Sequence, residues 1–364
     1  LKKYALNDIT LFQYVFMIHG SQLGFGLLSL PADLAKKAGT DGWISLLFGW
    51  ALAVFVSLII VQVMKKHPDQ TVYDLLPRYF GKALGAIMNS CIILYFLAGF
   101  FISFLGLVGF FKIELLTNTP NFLMALLFIV PTYNLARNQV RILGRYAEIS
   151  FWGFLWLSLV YLYPLKDSHW LHLLPVLKDG WGPVLHGIKT TGLSFLGFEI
   201  SLVLYPFLKH KEKAALGIII GNSITLLMYL IVTIITFLFF SPDDILSYQF
   251  PTLKVLKVME FRFLERVEIV VLVAYVFLAI RVWTHYLFAA TFGISRLAGK
   301  QDHKLFVRIA STGTLLTFIF YKPSFQSMGM MLEWFGRVGW VIAFAFPCFL
   351  LAYTSIFGRK GALR

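Results

Sequence analysis

Long uncharged apolar runs recur along this 364-residue chain, separated by short basic or polar links. Trp43 to Met64 holds 22 residues without a formal charge, Ala83 to Phe111 holds 29, Leu115 to Ala136 holds 22 and Ala214 to Ser241 holds 28. A helix needs roughly 20 such residues to cross the hydrocarbon of a bilayer, and helices buried in soluble proteins are usually shorter. With the less uniform runs included, the pattern predicts ten spans at 9–33, 42–65, 81–112, 119–137, 145–165, 184–208, 214–241, 267–296, 306–322 and 326–357. The expected fold class is an all-α polytopic membrane protein. The first run is long and lacks a small-residue cleavage site, so no cleavable signal peptide is expected.

Two of these runs are interrupted by glycines at matching places in the two halves. One reads Ile18-His19-Gly20-Ser21-Gln22-Leu23-Gly24-Phe25-Gly26, the other Thr190-Thr191-Gly192-Leu193-Ser194-Phe195-Leu196-Gly197-Phe198-Glu199. Paired discontinuities of this kind point to a site at the membrane midplane, where half-helix ends meet a ligand. Orphan N–H groups of the following half-helix can bind a carboxylate, and freed carbonyls can bind an ammonium or a cation. Ser21 and Gln22 add short polar groups at the same place. A second reading stays open, in which Gly20 and Gly24 form a small-residue packing stripe. Ten spans divide into five plus five, residues 1–165 and 166–364, each half opening on a broken helix. Five spans invert the next five, so an inverted repeat within one membrane domain is expected, although the halves share little residue-level similarity.

Composition removes the soluble alternatives. The chain is 59% hydrophobic and 14% charged, with mean hydropathy +0.77, against about half and about a quarter in soluble domains. A net charge of +14 would point a soluble protein toward nucleic acid. In a membrane protein it reads as topology, because Lys and Arg gather in cytoplasmic loops. With both ends inside, the inner segments hold 19 basic residues and the outer ones 10. Cys91 and Cys348 lie within apolar runs and are expected to be buried and inert.

Ionisable residues at membrane depth are costly and usually face one another or a wet cavity. Glu199, Arg281 and Arg337 lie about 15, 14 and 11 residues from the outer ends of spans six, eight and ten, near one depth at about 1.5 Å per residue. Glu199 is expected to pair with Arg281 or with Arg337, either as a static lock or as a gate. Glu333 precedes Arg337 by four residues, which also allows a local helix pair. His19 can bind ligand, shuttle protons or simply pack. Pro31 can kink or end the outer half-helix, and His186 and Lys189 can snorkel to headgroups.

Two outer connections are long, 166–183 and 242–266. After Pro251 apolar residues repeat at helical spacing, which predicts an amphipathic helix over the outer face, either as a lid on a vestibule or as part of a solvated linker. No phosphate loop, paired zinc-ligand motif or serine elbow appears, so neither an enzyme nor a cofactor is expected.

The segment Gln22-Leu23-Gly24-Phe25-Gly26-Leu27-Leu28-Ser29-Leu30-Pro31 resembles the first-helix motif of amino acid–polyamine–organocation permeases. Ser194-Phe195-Leu196-Gly197-Phe198-Glu199, with Pro206-Phe207, resembles the spore germination permeases, the B subunits of nutrient germinant receptors in endospore-forming bacteria. Phe250-Pro251-Thr252-Leu253 through Phe263-Leu264-Glu265-Arg266-Val267-Glu268 fits the same family. The resemblance implies an inverted-repeat transporter fold in the inner spore membrane, with an A subunit and a lipoprotein C subunit as partners. It implies a nutrient, often an amino acid, held against Gly20, Ser21, Gln22 and Gly24 and against Phe195, Leu196, Gly197 and Glu199. Phe101 and Thr284 are added from their depth in helices three and eight. The fifth span lacks a central lysine or aspartate of the kind that would mark cation coupling, which favours a sensor over a pump.

Overall fold

A computed structural model describes residues 7–24, 26–259, 266–320 and 325–357. The first apolar run folds as two helices, α1 (Leu11–Gln22) and α2 (Gly26–Ala38). Thr10 starts α1 with a reciprocal cap: its hydroxyl accepts from the Gln13 N–H at 3.2 Å, and its own N–H donates to Gln13 Oε1 at 3.1 Å. Pro31 lies inside α2 and does not end it. A helical proline cannot donate to the carbonyl four residues back. The Leu27 carbonyl so freed accepts the Thr252 hydroxyl at 3.4 Å.

The following helices are α3 (Gly42–Lys65), α4 (Val72–Glu114), α5 (Asn121–Ala136), α6 (Val140–Phe154) and α7 (Trp156–Val160). Within α4, Gly81 sits at φ 79°, ψ 169°, a conformation open to glycine that kinks a short leading helix against the long one. The sixth run is broken again, into α8 (Trp181–Ser194), a tight turn at Phe198–Ile200 and α9 (Ser201–Leu204). Then come α10 (Ala214–Phe239), α11 (Pro242–Ser247), α12 (Pro251–Lys257), α13 (Val267–Leu297), α14 (Lys304–Phe320) and α15 (Phe325–Gly339). A widened π turn over Trp340–Ala345 joins α15 to α16 (Phe346–Phe357). Among the described residues the extended pairing is a single backbone bridge, Ile9 with Leu208.

Six helical stretches among the described residues are long and apolar enough to span a membrane. The bent pair Trp181–Ser194 and Phe198–Phe207, at 45°, would make a seventh, and α5 is a shorter apolar helix. Large apolar side chains such as Phe55, Leu127, Ile149 and Trp334 are exposed around the bundle, as lipid requires. Within it, α1 is buried along nearly its whole length, between α6, α10 and α13. α4 packs along α13, and α3 along α8. The last pair is close because small residues meet: the Ser45 hydroxyl donates to Val184 O at 2.8 Å, and Thr191 Oγ1 to Ser45 O at 3.1 Å.

Several expectations shift. The fifth run starts at Val140, so Arg141 and Arg145 lie on the first turns of α6 rather than in a loop. Residues 166–183 carry short 3₁₀ turns, with Trp170 and Trp181 exposed. A helix does follow Pro251, as expected. On α12, Leu253, Val255 and Leu256 are buried against the bundle while Lys254 and Lys257 are exposed. The motif residues Phe263, Leu264 and Glu265 lie outside the described residues. Both cysteines are exposed, contrary to expectation. A uniformly apolar run does not distinguish a lipid-facing side from a core-facing one, since lipid tails are as apolar as leucine.

The two broken runs touch at Gly197, which has φ 124°. A Cβ there would lie 2.6 Å from the Ser21 carbonyl oxygen and 2.9 Å from the Gln22 nitrogen. Gly197→Ala is therefore expected to destabilise the fold by roughly 2–5 kcal/mol, combining backbone strain and overpacking. Gly26→Ala, whose Cβ would meet nothing within 4 Å, should change stability by under about 0.5 kcal/mol. Thermal unfolding of the two purified variants checks this; equal midpoints would contradict it.

Candidate functional site

The breaks are held together by side chains from α10. Tyr229 places its hydroxyl 2.8 Å from Gln22 O and 2.9 Å from Ser194 O, one donor bridging both interrupted helices. Gln22 reaches the other way. Its Nε2 donates to Phe195 O at 2.9 Å and to Asn222 Oδ1 at 2.7 Å, and its Oε1 accepts from Thr225 at 2.6 Å. His19 Nδ1 lies 2.9 Å from the Thr225 hydroxyl. Ser21 Oγ donates to Met17 O at 2.8 Å and meets His285 Nδ1 at 3.0 Å. The polar side chains expected to face a ligand are thus committed to one another, and Gln22 works as a brace. His19 takes the packing role among its alternatives.

Above this floor lies a cavity of about 1070 Å³. Its deep end is lined by Ser21, Gln22, Gly24, Gly26, Ser194, Leu196, Tyr229 and Tyr286, from both breaks, α10 and α13. Its walls include Gly99, Ile102, Ser103 and Gly106 of α4 and Phe335, Gly336 and Trp340 near the C-terminal helices. Its mouth carries Lys36, Lys37, Lys189, Gln249 and Phe250. α2 begins at the cavity and α8 ends there, so a positive helix N-terminus and a negative C-terminus face the same space. Of the break carbonyls, Gln22 O accepts from Gly24 N at 2.9 Å as well as from Tyr229, and Gly24 O from Leu27 N at 3.1 Å as well as from the Tyr275 hydroxyl at 2.6 Å, whereas Ser194 O accepts from Tyr229 and Phe195 O from Gln22. A carbonyl has two lone pairs, so capacity for a further donor lies at Ser194 O and Phe195 O, at the end of α8.

Of the residues singled out from sequence, Ser21, Gln22, Gly24, Leu196 and Arg337 line the cavity. Gly20 packs on the Arg281 side chain, and Gly197 on the Ser21–Gln22 backbone. Phe195 and Thr284 are buried, and Phe101 is partly buried beside the core, off the cavity wall. Lys189 is exposed and also borders the cavity.

The expected ion pair does not form. Glu199 is fully buried, but three neutral donors converge on it. Tyr95 donates to Oε1 at 2.7 Å, Tyr286 to Oε1 at 3.2 Å, and the Gly197 N–H to Oε2 at 2.7 Å. Arg337 is exposed and bridges Glu333 at 2.7 Å on its own helix. Arg281 is buried with Nε and Nη1 unpartnered. Shared depth put these charges at one level, but depth says nothing about which side of a helix each occupies. Tyr95, Tyr229, Tyr286 and Asn222 escaped the sequence reading. Their signal was present: a hydroxyl or amide inside an uncharged run needs a partner once buried.

Helices broken at mid-bundle around a large cavity define the class, a membrane protein built like a transporter. Comparison bears this out. The chain superimposes on a Na⁺-coupled sialic acid symporter in its substrate-bound outward-open state, with TM-score 0.64, 12% identity, and 94% of this chain and 80% of that one covered. It also matches MhsT in complex with L-phenylalanine, with TM-score 0.62, 13% identity and coverage of 95% and 88%. Residues 8–326 match the family of spore germination proteins, and the chain belongs to that family. Among its relatives is the spore germination protein YndE of Bacillus subtilis (strain 168), 31% identical over 306 residues that make up 81% of this chain and 82% of that one.

Glu199→Ala would strand three buried donors, at about 1–3 kcal/mol each. A loss of at least about 3 kcal/mol is expected, with Glu199→Gln, which keeps one acceptor oxygen, losing less. Thermal unfolding in detergent should rank native above Gln above Ala. An alanine variant as stable as native would show that the carboxylate is not the hub of this network.

Proposed function

We propose that this chain is the membrane-embedded B subunit of a nutrient germinant receptor, and that a small nutrient, of amino acid type, binds in the cavity between the two broken helices. The observation that carries this reading is the juxtaposition of the α2 N-terminus and the α8 C-terminus on one cavity. An amino acid offers a carboxylate to the first and an ammonium to the second. Specificity then comes from the shape of the space around Gly26, Ser103, Tyr229 and Tyr286 more than from charged side chains. In this reading the chain has ten spans arranged as a 5+5 inverted repeat, α1/α2 and α8/α9 being counterparts. It lies in the inner spore membrane with both ends cytoplasmic, α12 covers the outward vestibule, and the A subunit and lipoprotein C subunit receive the signal. A ligand can signal only by binding two conformations with different affinity.

One observation favours a second reading, an amino acid permease working by alternating access. The start of α1 is tied to the end of the sixth run by the Ile9–Leu208 bridge, with Ile9 N donating to Phe207 O at 2.9 Å and Lys209 N to Ile9 O at 3.1 Å, and none of these residues lines the cavity, which suits a gate shut on one side of the breaks.

The test screens amino acids, sugars and nucleosides against the purified chain. A binder at a hundredfold its Kd adds about 2.7 kcal/mol of stability, read as a raised unfolding temperature. Gly26→Leu, projecting into the cavity from a position with nothing within 4 Å, should weaken that binding more than tenfold. If no amino acid shifts the native chain, or the shift survives Gly26→Leu, the proposed site is wrong. Net uptake of the binder into vesicles by this chain alone would favour the permease; binding without uptake favours the sensor.

A further inference from the structure

Arg281 projects from α13 into the middle of the bundle, is 1% exposed, and has neither Nε nor Nη1 hydrogen-bonded. No carboxylate pairs with it among the described residues; its electrostatic neighbours are the tyrosines Tyr146 and Tyr275 and the histidines His19 and His285. Those neighbours are engaged elsewhere. The tyrosine hydroxyls donate to Phe277 O and Gly24 O, and the histidine Nδ1 atoms meet Thr225 and Ser21. A lone buried charge is normally expensive, so something must offset it.

Its position supplies the offset. The side chain lies on Gly20, where a Cβ would sit 3.3 Å from Arg281 Cδ and 3.4 Å from Nε. Gly20 is in the last turn of α1, which ends at Gln22 because the helix is broken there. The last turn of a helix presents carbonyls without intrahelical donors and about half a negative charge. An unbroken span would carry that charge to the membrane surface, but this break leaves it inside the protein. We infer that Arg281 is the built-in counter-charge of the broken first helix, a tethered cation that holds the buried C-terminal end of α1 and leaves no place there for a soluble one. A metal ion entering this space would meet a like charge at close range, which disfavours its binding. The site beside the break therefore works independently of Na⁺, although the fold is shared with a Na⁺-coupled symporter. The inference needs only the break and Arg281, and it stands whatever ligand the cavity takes.

Hydrogen exchange in the purified full chain, without any nutrient, tests it at the amides of residues 17–24. Arg281→Met, which keeps the length of the stem and removes the charge, should speed exchange there by roughly 2- to 30-fold, the range expected for a cation at a helix C-terminus. Arg281→Lys should stay nearer the native rate. Exchange at unchanged or slower rates in Arg281→Met would overturn the inference. The native chain supplies a second measurement that depends on no variant, in NaCl, choline chloride and sodium gluconate at one ionic strength. Equal protection in all three is expected. Protection that needs Na⁺ would mean a soluble cation serves this end after all, and protection that needs chloride would make Arg281 an anion site; either result refutes the tethered-cation role.

Discussion

The structure depends on one backbone contact, Gly197 pressed against the Ser21–Gln22 peptide. Two interrupted helices have unsatisfied ends, and in a bilayer such ends survive only where they are buried in protein or line a cavity. Bringing the breaks together meets both conditions. It lets the Tyr229 hydroxyl serve two carbonyls at once and lets Gln22 reach Phe195 O across the junction. It also turns the Gly197 N–H onto Glu199, which gathers Tyr95 of α4 and Tyr286 of α13. A side chain at position 197 would push the breaks apart and unseat each of these bonds.

Glu199 shows how this protein handles charge at depth. A carboxylate held by hydroxyls and an N–H is tied to three elements without any cation. Its position then depends on the helix-six break, since one of its donors is that break's own glycine. Tyr286 belongs to the network and also lines the cavity. A ligand touching Tyr286 is thereby one hydrogen bond away from Glu199 and two from α4. That is a short physical route from cavity contents to bundle geometry, whichever molecule the cavity receives.

Much of the fold was legible because lipid imposes a length rule on apolar runs, and the breaks were legible because glycine clusters interrupt those runs. The side-chain partners were not. In a soluble helix, polar residues mark the outer side; in this chain Cys91 and Cys348 face outward while Asn222 and Thr225 face inward, the reverse of the soluble rule. Helix rotation is therefore invisible to hydropathy. This is why Glu199, Arg281 and Arg337 shared a depth in the sequence yet have three separate environments in the fold. A better signal lay in the tyrosines, since a buried phenol demands a partner where a buried phenylalanine does not. Tyr95, Tyr229 and Tyr286 all sit within apolar runs, and all three bind the breaks.

The tie points also determine which parts of the bundle can move. At one end α1 is enclosed by α6, α10 and α13 and is fixed to the sixth run by the Ile9–Leu208 bridge. At the other, α2 and α8 border the cavity, and α2 is held to α12 by the Thr252 bond to the carbonyl that Pro31 leaves free. Trp340, in the π turn, lies against Gly192 of α8, and Leu193 and Leu196 seat on Gly336 and Gly339. Those glycines let α8 and the C-terminal helices approach closely, and π turns are frequent at functional sites. Regions with fewer buried contacts open at lower free energy than the core. By that measure α1, enclosed by three helices and braced by Gln22, is the fixed side of the bundle.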